Sequence, residues 1–383
     1  MEAFPYADVD SSLRAMAGKA EGFGRSAVGG LHGSLHSVTT LADVDSSLRA
    51  MAGKAEGFGR SAVGGLHGSL HSVTTLADDG PGSLREACSK TEPLWIVFDV
   101  SGVIHLSSDL SVSSFKTIDG RGSRIKLRGR GLRLHECENV IICNLEFEAG
   151  RGRDVDGIQI RPSSKHIWID RCSLSDYDEG LIDITRQSTD ITVSRCHFKN
   201  QDKAMLIGAD PSHFEDRCIR VTIHHCFFDG TRQRQPRVRF GKVHLYNNYT
   251  RNWGVYAICA GVESQIFSQC NIYEAGEKKK VFDYYPEQAA DKPEAESGVI
   301  RSEGDVFLNG ALGTGTHDTI VFHPSEYYST WTSEAAASYF LKGILQTCSG
   351  YQAMVRPIDD CDLLDSPVDH SNDPDENAFT TTN

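Results

Sequence analysis

The chain has 383 residues, and its 52 acidic and 39 basic side chains give a net charge of −13. A hydrophobic content of 39%, together with 36 glycines, is typical of a globular protein. No apolar run approaches the ~18 residues of a membrane-spanning helix, and none of the 11 cysteines forms a CxxC pair. These observations exclude a membrane protein, a zinc finger and a coiled coil. The first residues, MEAFPYADVDSS, lack the basic and apolar regions of a signal peptide.

A tandem duplication occupies the N-terminal part of the chain. Residues 7–41 recur without any change at 42–76, a period of 35. Repeats that form a solenoid differ in sequence because each copy packs against different neighbours, so an unchanged copy indicates a duplication with no structural purpose. We therefore expect residues 1–41 to be dispensable and residues 42–355 to form one domain. Residues 356–383, with eight acidic side chains and one basic, are predicted to be a disordered tail.

Short β-branched runs recur through the middle of the chain at intervals of 21–30 residues. Aligned on a small residue, they give Cys143, Cys172, Cys196, Cys226, Asn247 and Cys270. A second series of strand-like runs lies between them, at 157–160, 180–184, 204–208 and 237–241. Two or more strands in about 24 residues leave little space for the helix of a βαβ unit. The pattern predicts an all-β parallel β-helix, with the cysteines stacked as small apolar residues inside the coil.

Charged residues precede the strands of the second series at equivalent positions. Asp156, Glu179 and Lys203 are separated by 23 and 24 residues, one coil each, so they should project from one edge of the solenoid. Asp183 follows Glu179 by four residues in an extended run, and an even spacing directs both side chains to the same side. Clustered carboxylates suit a hard cation bound by oxygen, and Ca²⁺ is the natural candidate.

A basic cluster should follow on the same edge. The next coil is 30 residues long, so the position equivalent to Lys203 is residue 233. The cluster around it consists of Arg232, Arg234, Arg237 and Arg239. Arginines beside a cation site suit a polyanion that carries carboxylates, which a guanidinium binds through two hydrogen bonds. Nucleic acid is disfavoured by the acidic strip, the net charge and the lack of aromatic residues among these arginines. Ion pairing between coils is the simpler alternative.

Several motifs in this frame resemble those of one known family. They are AEGFGRSAVGG (55–65), VTTLADDGPGSLREA (73–87), WIVFDVSGVI (95–104), TIDGRG (117–122), IWID (167–170), EGLIDITRQS (179–188), DKAMLIGAD (202–210) and RQPRVRFGKVHLYNNY (234–249). Together they resemble the pectate lyases of polysaccharide lyase family 1, from about Ala55 to Phe307. The resemblance implies a right-handed parallel β-helix that cleaves de-esterified pectin (polygalacturonate) with the help of Ca²⁺.

The resemblance also implies roles for individual residues. The calcium-binding carboxylates would be Asp154, Asp156, Glu179 and Asp183. The catalytic residues would be Arg234, Lys203 and Arg239, with Arg234 as the base, and the same three side chains would bind substrate together with Arg237. One departure is that the chain has Arg171 where the family commonly reads W-I-D-H. This position lies outside the acidic edge, and we interpret it as a change in packing.

The implied chemistry is β-elimination, which removes the proton at C5 of a galacturonate and expels the oxygen at C4, leaving unsaturated oligogalacturonides. Calcium, Lys203 and Arg239 would stabilise the negative charge that develops. A guanidinium has a pKa of about 12.5–13.8 and is protonated near neutrality, so an arginine base predicts an alkaline optimum. By family resemblance we expect a secreted, monomeric cell-wall enzyme, although no signal peptide is visible, with no nucleic acid or membrane partner.

Three alternatives belong to other functional classes. A pectin lyase would act on methyl-esterified substrate and would not need the calcium carboxylates. A catalytically silent β-helix would bind pectin without cleaving it, and the presence of Lys203, Arg234 and Arg239 speaks against this. A polygalacturonase would hydrolyse with clustered aspartates, but the chain has no Gly-His-Gly motif.

Overall fold

The computed structural model describes residues 55–316, 321–327 and 338–353. The predicted dispensable segment 1–41 and the predicted acidic tail 356–383 both lie outside these ranges. Within them, nearly all regular structure is extended, and two α-helices occur, α1 (Leu84–Ser89) and α2 (Ser338–Cys348). Neither of these helices is long and apolar enough to cross a membrane.

Three parallel sheets run the length of the domain. The first sheet contains β1 (Ser69–Val73), β2 (Leu94–Phe98), β5 (Lys116–Asp119), β8 (Glu138–Cys143), β11 (Lys165–Asp170), β14 (Thr189–Ser194), β17 (Arg220–His224), β20 (Lys242–Tyr246), β23 (Gln265–Gln269) and β28 (Val299–Glu303). The second contains β4 (Leu110–Val112), β7 (Leu132–Leu134), β10 (Ile158–Ile160), β13 (Gly180–Ile184), β16 (Lys203–Ile207), β19 (Arg237–Val238), β22 (Ile258–Ala260) and β25 (Phe282–Tyr284). The third contains β3 (Gly102–His105), β6 (Ile125–Gly129), β9 (Glu146–Gly150), β12 (Ser173–Tyr177), β15 (His197–Lys199), β18 (Phe227–Asp229), β21 (Tyr249–Arg251), β24 (Ile272–Glu274) and β29 (Val306–Leu308). A short antiparallel hairpin, β26 (Glu287–Gln288) with β27 (Ala295–Glu296), follows β25.

From β2 to β25, each turn of the chain contributes one strand to each sheet, so that β11, β12 and β13 lie in the first, third and second sheets. Equivalent residues in neighbouring turns are directly paired, as in Ile167, Ile191 and Val221. These three residues are fully buried, because the inward side chains of every strand stack along the axis of the coil. The predicted all-β parallel β-helix is therefore confirmed.

Each β-branched run of the first series contains two strands separated by a corner. The corner residue has a left-handed backbone, with φ between 49° and 58° at Asn144, Arg171, Arg195, His225, Asn247 and Cys270. The chain turns there from the first sheet into the third. The corner takes a single residue and leaves the apolar pattern almost unbroken, so the two strands read as one run in the sequence.

The buried ladder lies one residue beyond these corners. Cys172, Cys196 and Cys226 occupy it as predicted and are fully buried. The predicted members Cys143, Asn247 and Cys270 lie outside the ladder. In those three turns the strand register puts Leu145, Asn248 and Asn271 at the ladder position. The two asparagines continue the ladder by hydrogen bonding, since Asn248 Nδ2 donates to Asn271 Oδ1 at 2.9 Å.

Both α-helices pack on the coil through apolar residues. Helix α1 contacts β1 and β4 and buries Leu84 and Ala87 in the interior core. Helix α2 lies on the third sheet, where Leu341 and Leu345 pack with Phe227 and its stacked neighbours.

Candidate functional site

One row of outward side chains crosses the second sheet. The register pairs Gln159 with Asp183, Asp183 with Leu206, and Leu206 with Arg237. Their strand neighbours, such as Ile158, point into the core, so alternation directs this row outward. Gln159 and Arg237, which are 78 positions apart in the sequence, therefore lie in one row that crosses four neighbouring strands.

Two aspartates converge at the start of β13. Asp156 and Asp183 are only 2% and 8% exposed. Gly180 lies between them, and a Cβ atom there would be 2.6 Å from Asp156 Oδ1 and 3.6 Å from Asp183 Oδ1. The two oxygens are therefore separated by at most the sum of these distances, about 6 Å. The missing side chain at Gly180 leaves space between two buried carboxylates.

The environment favours protonation of both carboxyls. Burial raises the pKa of Asp156, and the charges of Asp154 and Glu179 raise it further, while a hydrogen bond from Gln159 Nε2 at 2.8 Å opposes the rise. Burial and the charge of Asp156 raise the pKa of Asp183 to about 8. Adjacent buried negative charges repel each other, so this pair gains stability from either a proton or a cation.

The other two predicted metal ligands have cationic partners. Asp154 has a 60% exposed side chain and pairs with Arg161 at 2.7 Å. Glu179 pairs with Lys203 at 2.6 Å. The predicted equivalence of Glu179 and Lys203 was wrong by one residue, because the register sets Gly180 opposite Lys203. The pairing of Glu179 with Lys203 joins neighbouring coils, as the simpler alternative of ion pairing between coils predicts.

The donor set fits a calcium ion in part. Among the residues that the structure describes, no three His, Cys, Asp or Glu side chains are close enough to enclose a metal ion. However, Asp156 Oδ1 is buried without a hydrogen-bond partner in the described part of the chain, and the four candidate ligands offer carboxylate oxygens, which calcium prefers. Asp156 and Asp183 could hold the ion directly, whereas Asp154 and Glu179 would have to leave their ion pairs to join them.

Arg234 lies just before β19, two strands along the second sheet from Asp183. Lys203 pairs with Gln233 in a parallel β-bridge of the backbone, which confirms the predicted 30-residue step. Arg234 itself has a left-handed backbone with φ of 63°, and its carbonyl accepts a 2.8 Å hydrogen bond from Met205 N. Its Nε is buried with no hydrogen-bond partner in the described part of the chain. The charge of Arg234 counteracts the rise in the pKa of Asp183, so the two side chains interact electrostatically.

Arg237 and Arg239 share a carboxylate that sequence reasoning missed. Glu287 Oε2 and Oε1 each accept a 2.8 Å hydrogen bond from Arg239, and Oε1 also accepts one of 3.3 Å from Arg237. Arg239 additionally donates to the carbonyl of Ala209 at 2.9 Å. Glu287 belongs to the hairpin outside the repeating pattern, so no spacing could have revealed it.

The departure at Arg171 lies at the corner that follows β11 of the first sheet. Arg171 and Arg195 each donate a 2.7 Å hydrogen bond to the buried carboxylate of Asp170, and Ser194 donates one of 2.6 Å. Burial raises the pKa of Asp170 to about 6. Arg171 therefore takes part in a buried ion cluster outside the acidic row, as a packing role requires.

The fold places the chain among the parallel β-helix proteins, and its second sheet carries buried carboxylates and arginines on one face. The family model described as pectate lyase matches residues 105–339. "Probable pectate lyase 4" of Arabidopsis thaliana is 39% identical over 308 residues, covering 79% of this chain and 75% of that protein. "Pectate lyase 1" of Ambrosia artemisiifolia is 35% identical over 328 residues, covering 80% and 74%. The chain belongs to the pectate lyase family.

Other relatives match over a shorter stretch or in fold. "Putative pectate lyase 21" of Arabidopsis thaliana is 40% identical over 249 residues, and the match covers 61% of this chain and 63% of that protein. The structure of jun a 1, the major allergen from cedar pollen, has a TM-score of 0.69 at 31% identity, covering 80% of this chain and 96% of its own. A Bacillus subtilis pectate lyase variant has a TM-score of 0.63 at 20% identity, with coverages of 79% and 98%, and shares the fold.

Proposed function

We propose that this protein is a calcium-dependent pectate lyase that cleaves polygalacturonate by β-elimination and releases unsaturated oligogalacturonides. The observation that carries the proposal is the pairing of Asp156 and Asp183 around Gly180, together with the unpartnered Nε of Arg234. Family membership supplies the class of reaction. The two buried carboxylates would offer oxygens to a cation, and the arginines would offer positive charge to an acidic sugar.

Asp156 and Asp183 would hold the calcium ion, with Asp154 and Glu179 as further ligands. When bound, calcium supplies positive charge that neutralises a galacturonate carboxylate and so makes the neighbouring C5 proton more acidic. Release of Glu179 from Lys203 would free the ammonium group of Lys203 to contact a substrate carboxylate. The 2.6 Å ion pair between them thus keeps two functional side chains in place until ligands arrive.

The three arginines would have different roles in the reaction. Arg234, in its deprotonated neutral form, would take the C5 proton, and the hydrogen bond from Met205 N to its carbonyl holds its backbone in place. Arg237 and Arg239 would stabilise the anionic sugar and the charge that develops on it. A guanidinium is ordinarily protonated near neutrality, so the rate should rise towards alkaline pH. We also propose that the protein acts as a secreted monomer on cell-wall pectin.

Product analysis tests the proposed reaction. Purified protein would be incubated with polygalacturonate, with and without a calcium chelator, and the ultraviolet absorbance of the unsaturated end would be followed. We expect absorbance to appear with calcium and to vanish with chelator. Greater activity on methyl-esterified pectin that survives chelator would identify a pectin lyase instead. New reducing ends without absorbance would identify a hydrolase, and binding without cleavage a silent pectin-binding protein.

The substitution Arg234→Lys tests the base. Lysine keeps the positive charge but presents one nitrogen at a different position, so a base that depends on geometry should lose roughly a hundredfold to a thousandfold in kcat with KM little changed. Arg232→Lys is the matched control, because Arg232 pairs with Asp202 at 2.8 Å on an exposed surface. It should stay within a few-fold of wild type. Equal, small losses at the two positions would assign the base to another residue.

A further inference from the structure

The carboxylate of Glu287 joins two arginines of the second sheet. It makes two 2.8 Å hydrogen bonds with Arg239 and one of 3.3 Å with Arg237. The side chains of all three residues are between 11% and 17% exposed. Two parallel N–H···O bonds to one carboxylate fix the plane of a guanidinium, so Glu287 determines where Arg239 lies.

The hairpin that carries Glu287 is anchored on its far side. Ala289 is fully buried against Phe240 and Val262. Beyond it, Arg217 pairs at 2.6 Å with both Asp291 and Glu263, and these ion pairs connect the hairpin to the body of the coil. These contacts therefore hold the hairpin, and with it Glu287, against the coil.

The neighbouring turn leaves space for this carboxylate. A Cβ atom at Gly261 would lie 2.9 Å from Glu287 Oε2 and 3.0 Å from Arg239 Cγ. Both distances are shorter than an ordinary Cβ contact, so a side chain at this position would displace the ion pair. The absence of a side chain at Gly261 thus permits the close approach of Glu287 to Arg239.

We propose that Glu287 is a positioning residue that fixes Arg239 and Arg237 and cancels one of their two positive charges. This inference rests on the proposed function, since it assigns substrate contacts to both arginines. Two free guanidiniums would bind a polyanionic substrate tightly before reaction, and such ground-state binding does not raise kcat. Neutralising one charge weakens that binding. The guanidinium groups of Arg237 and Arg239 meanwhile stay oriented toward the reacting sugar.

The proposal predicts a characteristic split between kcat and KM. In Glu287→Gln the carboxylate charge is lost and the arginines become mobile, so KM should fall about threefold while kcat falls about tenfold or more. A residue that only stabilised the hairpin would lower the melting temperature without lowering KM. A KM that is unchanged or raised in Glu287→Gln would overturn the proposal.

Glu287→Asp separates the effect of the carboxylate charge from the effect of its position. It also tests the proposal if Glu287→Gln does not fold. Aspartate keeps the charge but is one methylene shorter, so it cannot maintain both bonds to Arg239. We expect kcat to fall about tenfold with KM near the wild-type value. Wild-type kcat in this variant would overturn the positioning role.

Glu296→Gln is the matched control within the same hairpin. Glu296 has a 43% exposed side chain and pairs with Lys292, so the substitution makes the same charge change away from the two arginines. It should leave both kcat and KM within twofold of wild type. If KM fell as much in this control as in Glu287→Gln, the net charge of the hairpin alone would explain the effect. That result would overturn the proposal.

A binding measurement distinguishes this inference from the proposed reaction. Calorimetric titration with trigalacturonate in the presence of chelator reports affinity without turnover. Glu287→Gln should bind about threefold more tightly than wild type, and more so at low salt. If no unsaturated product ever forms, the proposed function fails whatever this titration gives. If product forms but the variant binds no more tightly, the inference on Glu287 alone fails.

Discussion

Replacing Gly180 with alanine would put a methyl group between the two buried carboxylates. The new Cβ would be 2.6 Å from Asp156 Oδ1, whereas ordinary van der Waals contact begins near 3.4 Å. The carboxylate of Asp156 must therefore retreat by about 0.8 Å. It is almost fully buried and hydrogen-bonded to Gln159, so it has little freedom to adapt.

A displacement of this size matters more for metal binding than for folding. Calcium–oxygen distances span only about 2.3–2.6 Å, so a carboxylate moved by 0.8 Å leaves the range of a good ligand. Disturbing the support of a ligand typically costs roughly 10–100-fold in affinity, and we expect that loss for calcium. Stability in chelator should change by less than ~1 kcal/mol, because alanine restricts the unfolded chain and offsets part of the crowding.

The assay is a calcium titration of lyase activity, paired with the calcium-induced rise in melting temperature. Gly276→Ala is the matched control, because its Cβ would approach a side-chain oxygen, Asn252 Oδ1, at 3.0 Å away from the acidic row. It should leave the calcium response unchanged. If Gly180→Ala also required no more calcium than wild type, Asp156 and Asp183 would not share a cation.

Three further predictions concern the rest of the chain and the charge of the site. Deleting residues 1–41 should preserve solubility and specific activity, and a large loss of soluble protein would show that the first copy is structural. Asp156→Asn combined with Glu179→Gln should abolish activity and the calcium-induced rise in melting temperature, with little change in chelator, since removing repelling charge does not harm the apo fold; retained activity would refute the metal assignment. The folded-state pKa of Asp183 is about 8, above its ordinary 3.8, so in chelator its contribution to stability should be lost as pH rises from about 4 to about 8. Asp183→Asn should therefore become more stable relative to wild type across that range in urea unfolding, and a constant difference would contradict the assignment.

The sequence predicted that Asp183 and Arg237 share one edge of the coil because a solenoid repeats. Equivalent residues of neighbouring turns are paired, so adding one turn to Lys203 led to Gln233, and the arginines followed. The same reasoning identified the stacked cysteines Cys172 and Cys196. It works wherever the strands of successive turns keep their register.

The sequence could not predict features that lie outside the period. A corner of one left-handed residue, such as Arg171, shifts the register by one position without changing the apolar pattern. The partners of charged side chains depend on rotamers, so the pairing of Glu179 with Lys203 became visible only in the structure. Glu287 comes from an inserted hairpin, where no turn length applies.

Unpartnered buried polar atoms occur on this face of the coil, as they do elsewhere in the described residues. An unpartnered buried polar atom costs about 1–3 kcal/mol, yet Asp156 Oδ1 and the Nε atoms of Arg234 and Arg237 are buried without partners in the described part of the chain. The strands beneath them are hydrogen-bonded on both sides, so the backbone cannot rearrange to bring these atoms together. Under the proposed function, a cation at Asp156 and a sugar carboxylate at Arg234 would remove both penalties. Each ligand should then strengthen the binding of the other, because the positive ion lies beside the anion that the arginine holds.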